Sequence, residues 1–199
     1  MGSCSAPSEP INQYALVTYL PGELGCYLDQ LRRDLVSQCN ARSHISLLPP
    51  RSLDSSPLQA ESQILSLSFL ARPLVVKIGK VCVFPRTSVI YLELKAGQPE
   101  LEELHRKFAT DALAFDEPYP FHPHITLAQN FEIGTVQERV QQAQLQWDAY
   151  SGPREFLLDR VVFVQNSSGN CWIDLKTFPL QGLPAAPNPS TPVELSRTY

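Results

Sequence analysis

The sequence predicts an α+β chain in which one module is stated twice, giving two lobes that face each other across a cleft. Three observations lead there. His44-Ile45-Ser46-Leu47 returns as His124-Ile125-Thr126-Leu127, 80 residues further on. Strand-like and helix-like segments follow one another in similar order around both copies. A length of 199 residues suits one domain, or two closely packed lobes with a real core. A repeat this long is not a solenoid period, and fits duplication of a whole module.

Taken in order, residues 1–10 are rich in Ser and Pro and read as a flexible terminus. Tyr14 to Leu20 is a β-branched and aromatic strand stopped by Pro21-Gly22. Glu23 to Cys39 reads as an amphipathic helix, with Leu24, Leu28, Leu31 and Leu35 at helical spacing and Arg32-Arg33 past its middle. Arg42 to Leu48 is the first motif strand, expected to end at Pro49-Pro50. Pro57 to Ala71 is a second helix, with Ser56 as N-cap and Pro57 in the first turn. Leu74 to Val83 and Ser88 to Leu94 are strands rich in β formers. Glu100 to Leu113 is a third helix carrying Leu101, Leu104, Phe108 and Ala112 on one side. Its His105 is expected at the surface or boundary. After a proline-stiffened approach, His124 to Ala128 is the second motif strand. Thr135 to Leu145 is a Gln-rich helix with Val136, Val140 and Leu145 as its apolar side. Phe156 to Gln165 is one strand, turned at residues 166–170 into a hairpin with Cys171 to Leu175. The domain is thus expected over 11–180, followed by a Pro-rich, disordered tail over 181–199.

Side chains alternate faces along a strand, so His44 and Ser46 share one face while Ile45 and Leu47 share the other. His124 and Thr126 are related in the same way. Two such strands side by side would set two imidazoles and two hydroxyls in one cleft. By crude residue frequencies such a doubled tetrapeptide arises by chance about once in ten thousand, relaxed tenfold for the pattern that half-buried strands impose. Paired imidazoles supply acid and base near neutral pH, because free imidazole titrates at about 6.5. The Ser and Thr hydroxyls can donate to phosphate oxygens. That set suits in-line displacement at phosphorus. Without Asp, Glu or Cys at ligand spacing, the two histidines are a poor set for a metal, and none is expected. No G-x-S-x-G nucleophile elbow occurs.

Composition narrows the partners. The net charge is -4, so no basic face for gripping long nucleic acid shows by count. A nucleic-acid substrate is expected to be small or to be touched at one end. No apolar run approaches the ~20 residues of a membrane span, and without a positively charged n-region and apolar h-region no secretory signal is expected. Met1-Gly2 resembles a myristoylation start, but Ala6 stands where that motif wants Ser or Thr. Five cysteines, with no C-x-x-C, point to a reducing, cytoplasmic setting. Cys82 and Cys171 read as buried thiols.

Arg42 to Leu48 and His122 to Gln129 resemble the two signature motifs of the 2H phosphoesterase superfamily. More narrowly, the chain resembles the bacterial 2'-5' RNA ligase family, or RNA 2',3'-cyclic phosphodiesterases, over roughly residues 11 to 180. Pro123-His124-Ile125-Thr126-Leu127-Ala128 carries the match most closely. The resemblance implies a bilobal, pseudo-twofold duplicated fold with antiparallel sheets lining a central cleft, and hydrolysis of 2',3'-cyclic phosphates on RNA ends or nucleotides, with no cofactor and with 2'-5' ligation as the reverse use of the same cleft. It further implies His44 as proton donor, His124 as proton acceptor, and Ser46 and Thr126 as phosphate ligands. Arg42, Arg51, Tyr119 and Phe121 are candidate substrate contacts, the arginines by charge and the aromatics by stacking on a base. His122 is close in sequence, with Pro123 able to turn it away. Leu48-Pro49-Pro50-Arg51 departs from the Phe-Leu-Gly run common in the best-studied branch. Other substrates therefore stay open: a 2'-5' oligonucleotide, an ADP-ribose cyclic phosphate, or binding of RNA or nucleotide phosphates without catalysis. The expected partner is an RNA terminus or a small cyclic nucleotide, bound by a monomer away from membranes.

Overall fold

The computed structural model describes residues 9–37 and 42–182. Most of the expected flexible N-terminus and Pro-rich tail, together with Cys4 and Cys39, therefore lies outside the described residues. Eight strands form one antiparallel sheet: β1 (Pro10–Tyr19), β2 (His44–Arg51), β3 (Leu74–Val83), β4 (Ile90–Ala96), β5 (Ile125–Ala128), β6 (Glu155–Leu158), β7 (Arg160–Ser167) and β8 (Trp172–Pro179). Their spatial order is β6-β3-β4-β5-β2-β1-β7-β8. The two motif strands, β5 and β2, are the central pair. Outward from them β4 matches β1, β3 matches β7 and β6 matches β8, so the expected pseudo-twofold runs between the motifs. The two wings are one continuous sheet curled into a half-barrel.

The curl follows from a strand that divides. The run expected as a single strand from Phe156 is two, parted at Asp159. β6 pairs with β3 in one wing and β7 with β1 in the other. A one-residue link can join these places only if the far ends of the sheet approach each other.

Four helices, α1 (Gly22–Leu35), α2 (Pro57–Leu70), α3 (Gln98–Phe108) and α4 (Val136–Ala149), complete the described residues with short 3-10 turns. Ser56 caps α2 as expected and forms a reciprocal capping box with Gln59. α1 ends at Leu35, short of its expected end, and α3 breaks at Ala109 before a 3-10 turn over Asp111–Leu113. α4 runs on to Ala149 and buries Ala143 and Trp147, whereas Leu145, expected on its apolar side, is 73% exposed. The indole decides this orientation, because Trp147 Nε1 donates to Gly79 O at 2.8 Å.

The helices pack across the pseudo-twofold: α1, of the β1 wing, lies on β5, and α3, of the β4 wing, lies on β2. Leu28, Leu31 and Leu35 of α1 correspond in spacing to Leu101, Leu104 and Phe108 of α3, and all six are buried in the main core with Ile45, Leu47, Ile125 and Leu127. Thus the apolar face of each motif strand meets helices, and the histidine face is left open.

β2 also runs through the prolines expected to end it. Between the pairs Leu16↔Leu48 and Tyr14↔Arg51 the register shifts, with Pro49 and Pro50 opposite Ala15 alone. Such a bulge tolerates residues that lack an N–H for the ladder.

Candidate active site

Ile45 pairs with Ile125 in the antiparallel contact between β2 and β5. Continued one residue each way, this register sets His44 opposite Thr126 and Ser46 opposite His124. Each imidazole therefore faces the other motif's hydroxyl. The two rings stand on the diagonal of one cross-strand unit, with Cβ atoms roughly 7–8 Å apart. The same-face expectation holds: His44, Ser46 and Thr126 are half-buried on the open side, and Ile45, Leu47, Ile125 and Leu127 are buried on the other.

Both rings are held by the same device. His44 Nδ1 lies 2.7 Å from the carbonyl of Arg42, and His124 Nδ1 lies 2.6 Å from the carbonyl of His122. A carbonyl can only accept, so each Nδ1 carries the proton in the neutral ring and each Nε2 keeps its lone pair. Aromatic walls fix the ring planes. His124 meets Phe84 and Tyr91 edge-on at 5.0 and 5.3 Å, and His44 meets Tyr19 edge-on at 6.4 Å. Among the described residues, the Ser46 and Thr126 hydroxyls have no hydrogen-bond partner and remain available to a ligand. No group of three or more His, Cys, Asp and Glu among those residues is arranged to hold a metal ion.

The electrostatics follow from the curl. Burial, helped by the Arg32 and His124 charges and opposed by the Arg42 carbonyl bond and Asp29, lowers His44 to about 4. Burial also lowers His124, helped by the His122 charge and opposed by the His122 carbonyl. Both rings are thus neutral at neutral pH. Because the folded pKa of His44 is below the unfolded value of about 6.5, the unfolded chain takes up protons first as pH falls. Stability is accordingly full above ~6.5, declines from there to about 4, and levels off below. Denaturant titrations at pH 7, 5.5 and 4 check this. His44→Gln is expected to reduce the acid loss by on the order of 2 kcal/mol, the full shift being discounted for partial exposure. An unchanged pH slope would mean that the imidazole is not desolvated.

Two side chains brace the motif strands from beneath. Arg32, which follows Leu31 in α1, donates to Thr126 O; His105, which follows Leu104 in α3, lies 2.8 Å from Leu47 O. They occupy corresponding places in the two helices, so the duplication extends to these supports. His105 is half-buried at the boundary, as expected. Its ring stacks flat on Phe121 with centroids 3.8 Å apart. One support is a cation and the other an imidazole, and this makes the two histidine environments unequal.

The remaining expected contacts divide. Arg42 has a side chain 59% exposed; it pairs with Asp174 at 3.4 Å and lies 3.6 Å over the Tyr19 ring. Tyr19 O–H donates to Asp174 Oδ1 at 2.5 Å, and burial with that bond pushes the phenol well above its ordinary range. Tyr119 is 58% exposed, and Phe121 is engaged by His105. Arg51 corrects an expectation. Its side chain is 1% exposed, ion-paired to Glu117 and bonded to Leu113 O at 2.9 Å, so it braces the fold and does not reach a ligand. Cys171 is likewise corrected: it is half-buried and disulfide-bonded, not a free buried thiol. His122 lies beside the site, its ring 6.2 Å from that of His124 and edge-on to Phe84 and Tyr91. Sequence reasoning missed Tyr19, Phe84, Tyr91 and Arg32. Alternation within their strands marked Tyr19 and Tyr91, Phe84 lies in the loop after β3, and nothing local tied any of them to the motifs.

A curled antiparallel sheet with a His-x-Ser/Thr motif on each of its two central strands defines the class of the 2H phosphoesterases. The family model for the 2'-5' RNA ligase superfamily matches residues 27–170, and the chain belongs to that superfamily. A protein of Oceanobacillus iheyensis named as a phosphoesterase is 28% identical over 144 residues, spanning 68% of this chain and 82% of that protein. A similarly named protein of Halalkalibacterium halodurans is 25% identical over 150 residues, spanning 69% and 82%. Among solved structures, E. coli LigT in its apo form superposes with a TM-score of 0.59 at 18% identity, covering 87% of this chain and 99% of that one. LigT complexed with 3'-AMP gives 0.58 at 16% identity, covering 86% and 99%. These likenesses show the fold. Membership places the chain among phosphoesterases, hydrolases of phosphoester bonds. No helix of the described residues is long and apolar enough to cross a membrane.

Proposed function

We propose that this protein is a cyclic phosphodiesterase that opens 2',3'-cyclic phosphates at RNA ends or on nucleotides, with His44 and His124 as its acid and base. The observation that carries the reading is the Ile45↔Ile125 pairing, which turns two sequence motifs into one four-residue site. His124 Nε2 takes a proton from water as the water oxygen bonds to phosphorus. The bond from phosphorus to the ribose 3' oxygen breaks. His44 Nε2–H returns a proton to that oxygen, leaving a 2'-phosphate. Ser46 and Thr126 hydroxyls donate to the non-bridging oxygens, where negative charge builds. With a 5'-hydroxyl in place of water, the same steps form a 2'-5' linkage: His124 takes the hydroxyl proton, the hydroxyl oxygen bonds to phosphorus, and the ribose 3' oxygen leaves with the proton from His44.

Burial and the Arg32 charge favour the neutral form of His44. The anionic substrate supplies the opposite charge that raises His44 toward the protonated form an acid needs. A nucleotide ligand is supported by the LigT complexes with 3'-AMP, ATP and NADP+, which share this fold.

Phosphorus NMR of a 2',3'-cyclic mononucleotide and of an RNA ending in a cyclic phosphate, each with and without EDTA, tests the reading. The expected result is turnover to a single 2'-phosphomonoester, unaffected by EDTA. Binding without turnover would reduce the protein to a phosphate-binding module. Turnover confined to 2'-5' oligonucleotides or an ADP-ribose cyclic phosphate would replace the substrate.

A further inference from the structure

The two wings of the open face differ in chemistry although they match in topology. On the β1 wing Ala15, Val17, Val162 and Val164 form a small apolar cluster, with Tyr19 and Trp172 packed against it. The β4 wing presents charge. Ile90, Leu92 and Leu94 of β4 are buried against the helices, so Tyr91, Glu93 and Lys95 face the open side. On β3, Val76, Ile78 and Val81 are buried and Lys77 and Cys82 face out.

Between Ile78↔Leu94 and Val81↔Leu92 the register shifts, so Gly79 and Lys80 together oppose Glu93. This bulge aims Lys80 outward beside Lys95, and both are exposed. Glu93 folds over Gly79, where a Cβ would lie 2.7 Å from its Cγ, and takes the Cys82 thiol at 3.5 Å. Lys77 is paired with Glu155 at 2.9 Å; among the described residues neither Lys80 nor Lys95 has a salt-bridge partner.

A cleft of about 540 Å³ opens here, lined by Lys77, Lys80, Lys95 and Arg154 against Asp148 and Glu155. Its wall is rigid: the Arg154 guanidinium lies 4.5 Å over Trp147 and donates to the carbonyls of Trp147 and Tyr150 at 2.7 and 3.2 Å. In a chain of net charge -4 this is a local excess of cations. Strand register relates it to the histidine pair. Extending the register sets Glu93 beside His124, and β3 lies two strand spacings from β5, roughly 10 Å. About two nucleotides of single strand cover that distance.

Resting on the cyclic phosphodiesterase reading, we propose that the Lys80–Lys95 cleft is an extended subsite for the single-stranded phosphodiester backbone upstream of the terminal cyclic phosphate. The terminal nucleoside stacks toward Tyr19 and Trp172 on the other wing. Charge complementarity selects the occupant: successive phosphates meet successive lysines, with no base edge being read. The protein therefore favours an oligonucleotide end over a mononucleotide carrying the same reactive group.

The test measures fluorescence anisotropy with a single-stranded RNA hexamer ending in a 2'-phosphate, and competition by a 2'-mononucleotide, for the unaltered protein, Lys80→Gln/Lys95→Gln, and Lys107→Gln as a surface control. The double variant is expected to bind the hexamer about tenfold more weakly. Its log–log salt slope should fall by about 1.4, since each phosphate neutralised on a single strand contributes about 0.7. Mononucleotide affinity should change by less than about twofold in both variants, and Lys107→Gln should retain the hexamer affinity. Equal affinity of the unaltered protein for hexamer and mononucleotide, or a double variant with unchanged hexamer affinity and slope, overturns the subsite. Turnover of a cyclic mononucleotide by the unaltered protein is scored separately. If that turnover is present and the lysine effect absent, only the subsite falls; absent turnover strikes the phosphodiesterase reading, and the binding result still decides the subsite.

Discussion

His44→Ala and His124→Ala are each expected to lower kcat on a 2',3'-cyclic phosphate at least ~100-fold, the usual contribution of one general acid or base. The double variant should lose little beyond the worse single one, because one proton-transfer chain is already broken. Substrate binding should survive better than turnover, since Ser46 and Thr126 stay in place on the same face. The pH profile separates the roles. Removing the acid is expected to abolish the limb that falls as pH rises, and removing the base the limb that falls as pH drops. Steady-state kinetics with cyclic mononucleotides from pH 5 to 9 measure both. A loss under threefold for either variant removes that histidine from the mechanism. Neither substitution should unfold the protein, because both rings lie outside the main core.

The largest expected effect on stability belongs to Arg51→Met. Arg51 is 2% exposed at the end of β2 and holds three partners: Glu117, Leu113 O at 2.9 Å and Pro49 O at 3.1 Å. Glu117 also lies 3.7 Å from His105 Nε2, and His105 bonds Leu47 O in the first motif strand. Removing the guanidinium leaves a shielded carboxylate and two carbonyls without their donor, a loss of about 3–5 kcal/mol. Equilibrium denaturation checks it. Arg51→Met/Glu117→Met should recover part of the loss, since the stranded charge is gone, whereas Arg51→Lys should not, because an ammonium cannot span the three partners. A loss below ~1 kcal/mol for Arg51→Met would show that the pair does not anchor the approach to the second motif.

This residue also shows where sequence reading stops. A positive charge close to a motif histidine invites a role on the phosphate. Nothing local reveals that Glu117, 66 residues further on, claims it inside the fold. Phe156 to Gln165 repeats the lesson for the backbone: the run has uniform strand character, yet Asp159 divides it between opposite wings. Pro49-Pro50 and Leu145 misled for the same reason. A bulge opposite β1 absorbs the prolines, and the place of Trp147 under β3 turns Leu145 to solvent.

Alternation and helical spacing determined by themselves most of the elements, the two-copy organisation, and which face of each motif strand bears His and Ser or Thr. Those are short-range properties, written in neighbours two to four residues apart. Only the tertiary structure decided that the copies pair at Ile45 and Ile125, that the curl shields both imidazoles from water, that Arg51 is turned inward, and that one wing is apolar while the other is cationic. Each of these depends on residues far apart in the chain, and their juxtaposition exists only once the sheet has closed around its central pair.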